Sequence, residues 1–208
     1  VSLRTDSAFH KNLILINGVL PAVLMMIDLR RGIIGVNPVE FVTSATGVLT
    51  LVFLVLTLLV TPLRSFFGWN WLLKQRRLLG LYAFFYGLAH LLAYLAGDRD
   101  WLWRTVPGDV LMRPFIAVGM VSFLLMVPLA ATSTNSMLKR LGTRRWRWLH
   151  RLTYLVAVGG VAHYWMLVKS DITWPLAFGA AITLLLAYRV LVGMRKVFRD
   201  PAVESPRR

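Results

Sequence analysis

The sequence contains no cysteine. Disulfide scaffolds, iron–sulfur clusters, thiolate metal sites and cysteine nucleophiles are therefore excluded. Acidic residues are also scarce: 9 Asp and Glu stand against 24 Lys and Arg, a formal charge of +15 over 208 residues. A sequence pI near 11.3 usually points to nucleic acid. Here long apolar runs separate the basic residues, so that reading fails. The chain is 57% hydrophobic with a mean hydropathy of +0.63, which excludes disorder. What remains is a membrane protein that carries its basic residues in its loops.

A hydrocarbon core of about 30 Å needs roughly 20 apolar residues in a helix. Six runs qualify as spans: Asn12 to Ile27, Phe41 to Leu63, Leu78 to Gly97, Pro114 to about Ala131 with an uncharged tail to Leu138, Leu152 to Val168, and Ile172 to about Val192. The first is short and interrupted by Asn17 and Pro21. Asp28-Leu29-Arg30-Arg31 follows it instead of a small-residue cleavage site, which argues against a signal peptide. Lys and Arg counts in alternate loops give the orientation. The two termini, the Arg64–Arg77 loop and the Lys139–Arg151 loop hold 18 basic and 3 acidic residues. The opposite side holds Arg30, Arg31, Arg99, Arg104, Arg113 and Lys169 against 6 acids. The expected fold is all-α: an integral membrane six-helix bundle with both termini cytoplasmic. Residues 1–11 form an N-tail, 12–192 the membrane domain and 193–208 a basic C-tail. Most tryptophans fall at span ends, Trp69, Trp71, Trp101, Trp103, Trp146, Trp148 and Trp174 among them, where aromatic belts form. No internal repeat is evident, and no loop is long enough for a soluble domain.

Polar groups inside a membrane are functional candidates. His90 in the third span and His163 in the fifth each lie about 18 Å along their helices, at roughly 1.5 Å per residue. Two imidazoles at one depth on two parallel helices suit bis-histidine ligation of haem iron. A single intramembrane histidine would otherwise serve interhelical hydrogen bonding. The spans hold no Asp or Glu to continue a proton relay.

His150 precedes His163 by 13 residues, about 20 Å of rise, which suits a second stacked haem. Thirteen residues do not return to the same helix face, unless Gly159 and Gly160 allow a local distortion. The matching positions in the third span are Arg76 and Arg77, neither a usual haem ligand. An interfacial histidine in a basic loop is the plain alternative. Arg76, Arg77 and the Arg144–Arg151 cluster could form an anionic-ligand site for a flavin phosphate, quinone head group, haem propionate or anionic lipid, or simply reflect topology. Gly47, Gly80 and Gly87 suit either a flat macrocycle or helix packing. Arg99, Arg104 and Arg113 are either propionate partners or solvated. His10 lies in the N-tail as a surface residue.

Several runs carry a resemblance. They are Thr61-Pro62-Leu63, Arg76-Arg77-Leu78-Leu79-Gly80-Leu81, His90-Leu91 with Tyr94, Arg113-Pro114-Phe115, Thr132-Ser133, Leu141-Gly142, Trp148-Leu149-His150-Arg151-Leu152 with Tyr154, and His163-Tyr164-Trp165. Together they resemble the MsrQ (YedZ) family, the haem-binding membrane subunits of bacterial protein-methionine-sulfoxide reductase systems. That family belongs to the ferric-reductase-like transmembrane group. The resemblance runs from about Asn37 to Arg195.

It implies a b-type cytochrome of the bacterial inner membrane, with one haem b or two. Electrons would come from quinol or a cytoplasmic flavin reductase, and FMN has been associated with the family. They would pass to a periplasmic molybdopterin catalytic subunit that reduces methionine sulfoxide in oxidised proteins. By motif position the haem residues are His90, His150 and His163. Related NADPH oxidases place two histidines on each of two helices and add a flavin and nucleotide domain. Here Arg stands in the fourth histidine position, and an external donor is implied. The rival expectations are a stand-alone transmembrane quinol or ferric reductase and a small histidine-gated transporter.

Overall fold

The computed structural model describes residues 7–97 and 102–199, and among these it is helical with no strand. Expectations for Arg4, Asp6, Asp98, Arg99, Asp100, Trp101, Asp200, Glu204, Arg207 and Arg208 lie outside the described residues. So do those for the side chains of Trp103, Arg195, Lys196 and Arg199.

The helices are α1 (Ser7–Arg30), α2 (Pro38–Phe67), α3 (Leu72–Gly97), α4 (Val106–Met112), α5 (Pro114–Ala131), α6 (Asn135–Leu149), α7 (Leu152–Leu167) and α8 (Thr173–Arg199). Five of them, α1, α2, α3, α5 and α8, are long and apolar enough to cross a membrane. The fifth expected span, α7, is apolar but has only 16 residues, about 24 Å of rise.

Local sequence sets the ends of α2. Asn37 accepts from the Glu40 N–H at 3.1 Å and Pro38 opens the first turn, where its missing N–H removes no bond. Gly68 closes the helix at φ 69°, its N–H bonded to the Arg64 carbonyl at 3.0 Å. The core gathers on this helix: Leu51, Phe53, Leu54, Leu58 and Val60 are buried against α3, α7 and α8. Two helix pairs carry the packing, α2 with α3 and α5 with α7, and α8 lies across α2 and α7.

α1 is more loosely held. Pro21 lies inside it, and two α3 tyrosines reach carbonyls of the preceding turns. Tyr82 donates to the Leu15 carbonyl at 2.9 Å and Tyr86 to the Gly18 carbonyl at 2.8 Å. Gly18 admits the Tyr82 ring, since a Cβ there would lie 2.3 Å from it.

Two expectations need correction. The uncharged tail to Leu138 does not extend the fourth span. α5 ends at Ala131, and Thr134 caps a new helix by accepting from the Met137 N–H at 3.2 Å. Most of the basic Lys139–Arg151 segment, up to Leu149, is the body of that helix, α6, and not an open loop. It is broken at Gly142, which sits at φ 75° and ψ 154°. A run of cations in a connecting segment hid a helix whose Trp146 is half-buried and donates to the Thr132 carbonyl.

Candidate functional site

α3 and α7 bring His90 and His163 together with ring centres 6.0 Å apart and planes at 85°. Each ring is held from behind by the neighbouring helix. His90 Nδ1 lies 2.8 Å from the Thr43 carbonyl on α2, and His163 Nδ1 lies 2.6 Å from the Phe115 carbonyl on α5. A carbonyl only accepts, so each Nδ1 carries a proton, and in the neutral ring the lone pair is on Nε2. Orientation through the far nitrogen is how ligating imidazoles are commonly fixed.

The two halves use one device. Four residues after each acceptor carbonyl comes a glycine: Gly47 after Thr43 and Gly119 after Phe115. Positions i and i+4 share a helix face. A Cβ on Gly47 would meet His90 Nδ1 at 3.1 Å, and one on Gly119 would meet His163 Nδ1 at 2.7 Å. The absent side chain is what lets the imidazole reach the backbone. This repeat was invisible as sequence similarity, because it consists of a backbone oxygen and a missing methyl.

Chemically, the site offers two imidazole nitrogens as ligands. No group of three or more His, Cys, Asp or Glu able to hold a metal ion exists among the described residues. Two imidazoles are the ligand number that an iron already held in a macrocycle would still need. Imidazole–metal bonds of about 2.0–2.1 Å place the centres of two rings sharing one metal roughly 6 Å apart, which matches this pair.

His150 differs. It occupies the turn between α6 and α7, with Trp146 stacked on it at 3.9 Å. Its Nε2 lies 3.2 Å from Thr132 Oγ1, whose own proton goes to the Pro128 carbonyl at 2.6 Å. His150 must therefore donate from Nε2, which leaves Nδ1 as its lone-pair nitrogen. Burial and then the charges of Arg76 and Arg77 push its pKa down to about 4, so the ring is neutral at pH 7. α7 runs unbroken from Leu152 to Leu167, so Gly159 and Gly160 do not distort it. They admit Ser122 and Leu51 instead.

Beside His150 opens a cavity of about 810 Å³. Arg76, Arg77, Arg144, Arg147 and Arg151 line it, with Leu54, Gly80, Phe84 and Met126 on its apolar wall. Arg77 donates to Asn135 Oδ1 at 2.5 Å and lies 5.6 Å from the Trp146 ring centre. The expected small residues thus separate by role. Gly47 serves His90, Gly80 opens onto the cavity, and at Gly87 a Cβ would meet Phe123 and Thr50 only at an ordinary 3.6 Å.

The remaining candidates lie elsewhere. Arg113 sits 3.9 Å from Asp109, which also accepts from the Tyr94 hydroxyl. Arg104 is exposed. His10 stacks against Trp71 at 4.2 Å, at the opposite end of α3 from His90. Thr43 and Gly119 carried no signal in the sequence, and Phe115 and Thr132 stood there only as motif residues, because their contributions are a carbonyl, a hydroxyl or a missing side chain. The sequence reading also missed Arg189, which was counted as a tail charge. NH1 of Arg189 donates to the Tyr154 hydroxyl at 3.0 Å and NH2 to the Leu58 carbonyl at 2.8 Å. Pro62 was the available signal: having no N–H, it leaves the carbonyl four residues earlier, that of Leu58, without its helical donor.

Residues 46–161 match the family model described as ferric reductase like transmembrane component. Among curated proteins, the chain is 43% identical to a protein-methionine-sulfoxide reductase heme-binding subunit MsrQ of Herminiimonas arsenicoxydans, over 93% of this chain and 89% of that one. It is 52% identical to the MsrQ of Ralstonia nicotianae over 75% and 73% of the two chains. With that of Deinococcus radiodurans it shares 43% identity over 78% and 80%. No solved structure is matched.

Proposed function

Since the chain belongs to the MsrQ family of ferric-reductase-like transmembrane components, and is a multi-pass inner-membrane protein, we propose that it is the b-type cytochrome of a methionine sulfoxide reductase system. It carries electrons across the membrane to a periplasmic molybdopterin catalytic subunit, which performs the substrate chemistry. The donor is quinol or a cytoplasmic flavin reductase. α7 serves as a sixth span, which places both termini and the basic α6 in the cytoplasm, as the positive-inside rule requires.

The observation that carries this reading is the His90–His163 pair, with Nδ1 of each fixed to a backbone carbonyl and ring centres 6.0 Å apart. Haem bound there supplies a reversible one-electron carrier. The protein's part is positional. Thr43 and Phe115 set the tautomers, and Gly47 and Gly119 admit the rings. The surrounding apolar helices keep water from the iron. At the basic end, His150 offers a neutral nitrogen to a second haem b, with Arg76 and Arg77 receiving the anionic edge of that haem or of FMN. Thirteen residues of helix put the two sites about 20 Å apart along the transfer direction.

The test is a dithionite-reduced minus oxidised spectrum of purified wild type, His90→Ala and His163→Ala. Wild type shows a Soret and an α-band, and each variant loses the haem of the His90–His163 site, the outer haem of the two. A wild type without these bands, or two variants with full haem content, refutes the reading. A stand-alone quinol or ferric reductase would show the same bands but would not co-purify with a periplasmic molybdoenzyme.

A further inference from the structure

We propose that Arg76, Tyr154 and Arg189 form one seat for a carboxylate or phosphate of the molecule in the basic cavity, with Arg189 as its positioning residue. This rests on the reading that the cavity holds a cofactor. Three helices meet at the seat: Arg76 comes from α3, Tyr154 from α7 and Arg189 from α8. Arg76 and Tyr154 line the cavity, and Arg189 stands behind them.

Proton counting at Tyr154 shows what the seat presents. The phenol oxygen accepts from Arg189 NH1 at 3.0 Å. A guanidinium has no acceptor, so the hydroxyl proton is not spent on Arg189 and is left to donate. Tyr154 and Arg76 thus both bring donors to the cavity wall. Arg189 cannot turn away. Its NH2 is tied to the carbonyl orphaned by Pro62, its guanidinium carbon lies 5.3 Å from the Tyr154 ring centre, and its Nε is buried without a partner.

Charge makes the same demand. Arg76 and Arg189 repel one another. The described acids, Asp28, Glu40, Asp109 and Asp171, all sit at the opposite ends of their helices or in the loops there. Two like charges in a mostly apolar setting need a counter-charge. A ligand anion reaching the cavity wall supplies it, through charge-assisted hydrogen bonds.

Two paired probes test the seat in the purified full chain, with the outer haem band as the control for folding. FMN is compared with riboflavin, which lacks the phosphate, and haem with its dimethyl ester, which lacks the carboxylates. Wild type should prefer the anionic member of at least one pair by about tenfold or more, as charge-assisted bonds imply. Arg189→Gln should reduce that preference about tenfold, and Arg189→Lys should keep most of it. Tyr154→Phe, which keeps the ring, should also reduce it and stands in if Arg189→Gln does not fold. A response in the flavin pair identifies a phosphate, and one in the haem pair a propionate.

A merely structural Arg189 would weaken both members of a pair equally. That result, or a wild type with no preference in either pair, overturns the proposal. Failure of the cytochrome reading is seen separately, as a wild type with no haem bands at all.

Discussion

A methyl group on Gly119 would stand 2.7 Å from Nδ1 of His163, the atom that holds the ring to the Phe115 carbonyl, and closer than real Cβ contacts come. Gly119→Ala therefore cannot keep the imidazole where it is. The expected result is a large loss of outer haem, read as Soret absorbance per protein. Gly47→Ala meets His90 at 3.1 Å, a milder clash. It should retain most of the haem with a shifted midpoint potential. Equal haem retention in the two variants would contradict the cradle.

Thr132 holds the nitrogen of His150 that must be freed if Nε2 is to bind iron. Thr132→Val removes that acceptor, and with it a bond of roughly 0.5–1.5 kcal/mol. At limiting haem, this variant should raise occupancy at the basic end and leave the outer haem unchanged. Unchanged occupancy would mean that His150 acts through Nδ1 or not at all.

Pro62 and Arg189 are coupled through the Leu58 carbonyl. Arg189→Gln should destabilise the protein in detergent unfolding by about 1–2 kcal/mol. Adding Pro62→Ala returns an amide donor to Leu58 and should recover part of that loss. A double-mutant cycle reads the coupling, and strict additivity would show that the two residues act independently.

The absence of native cysteine makes topology directly measurable. Thr143→Cys in α6 should resist a membrane-impermeant maleimide in intact spheroplasts and react after lysis. Gly108→Cys in α4 should react in both. The reverse pattern would invert the bundle.

Much of this architecture was legible in the chain. Span positions followed from apolar runs, and the pairing of His90 with His163 followed from equal depth, because helical rise converts residue number into distance. What sequence could not show was the support around the rings. Thr43 and Phe115 act through carbonyls that every residue possesses, and Gly119 lay unmarked in an uncharged span. α6 was hidden by its charge: cations that signal topology in a loop are equally at home on the wet face of a helix. Arg189 sat in plain view, but its meaning depends on Pro62, 127 positions away, and only the fold joins them.

The paired cradles also bear on speed. An electron carrier is fast when little around it has to move as the charge arrives and leaves. Each imidazole here is pinned to a backbone carbonyl and pressed against a bare helix face, so neither ring has room to swing. A preorganised setting of this kind leaves little to rearrange at the moment of transfer. On the proposed reading, one methyl omitted on each of two helices would lower the reorganisation energy of an iron held by these rings.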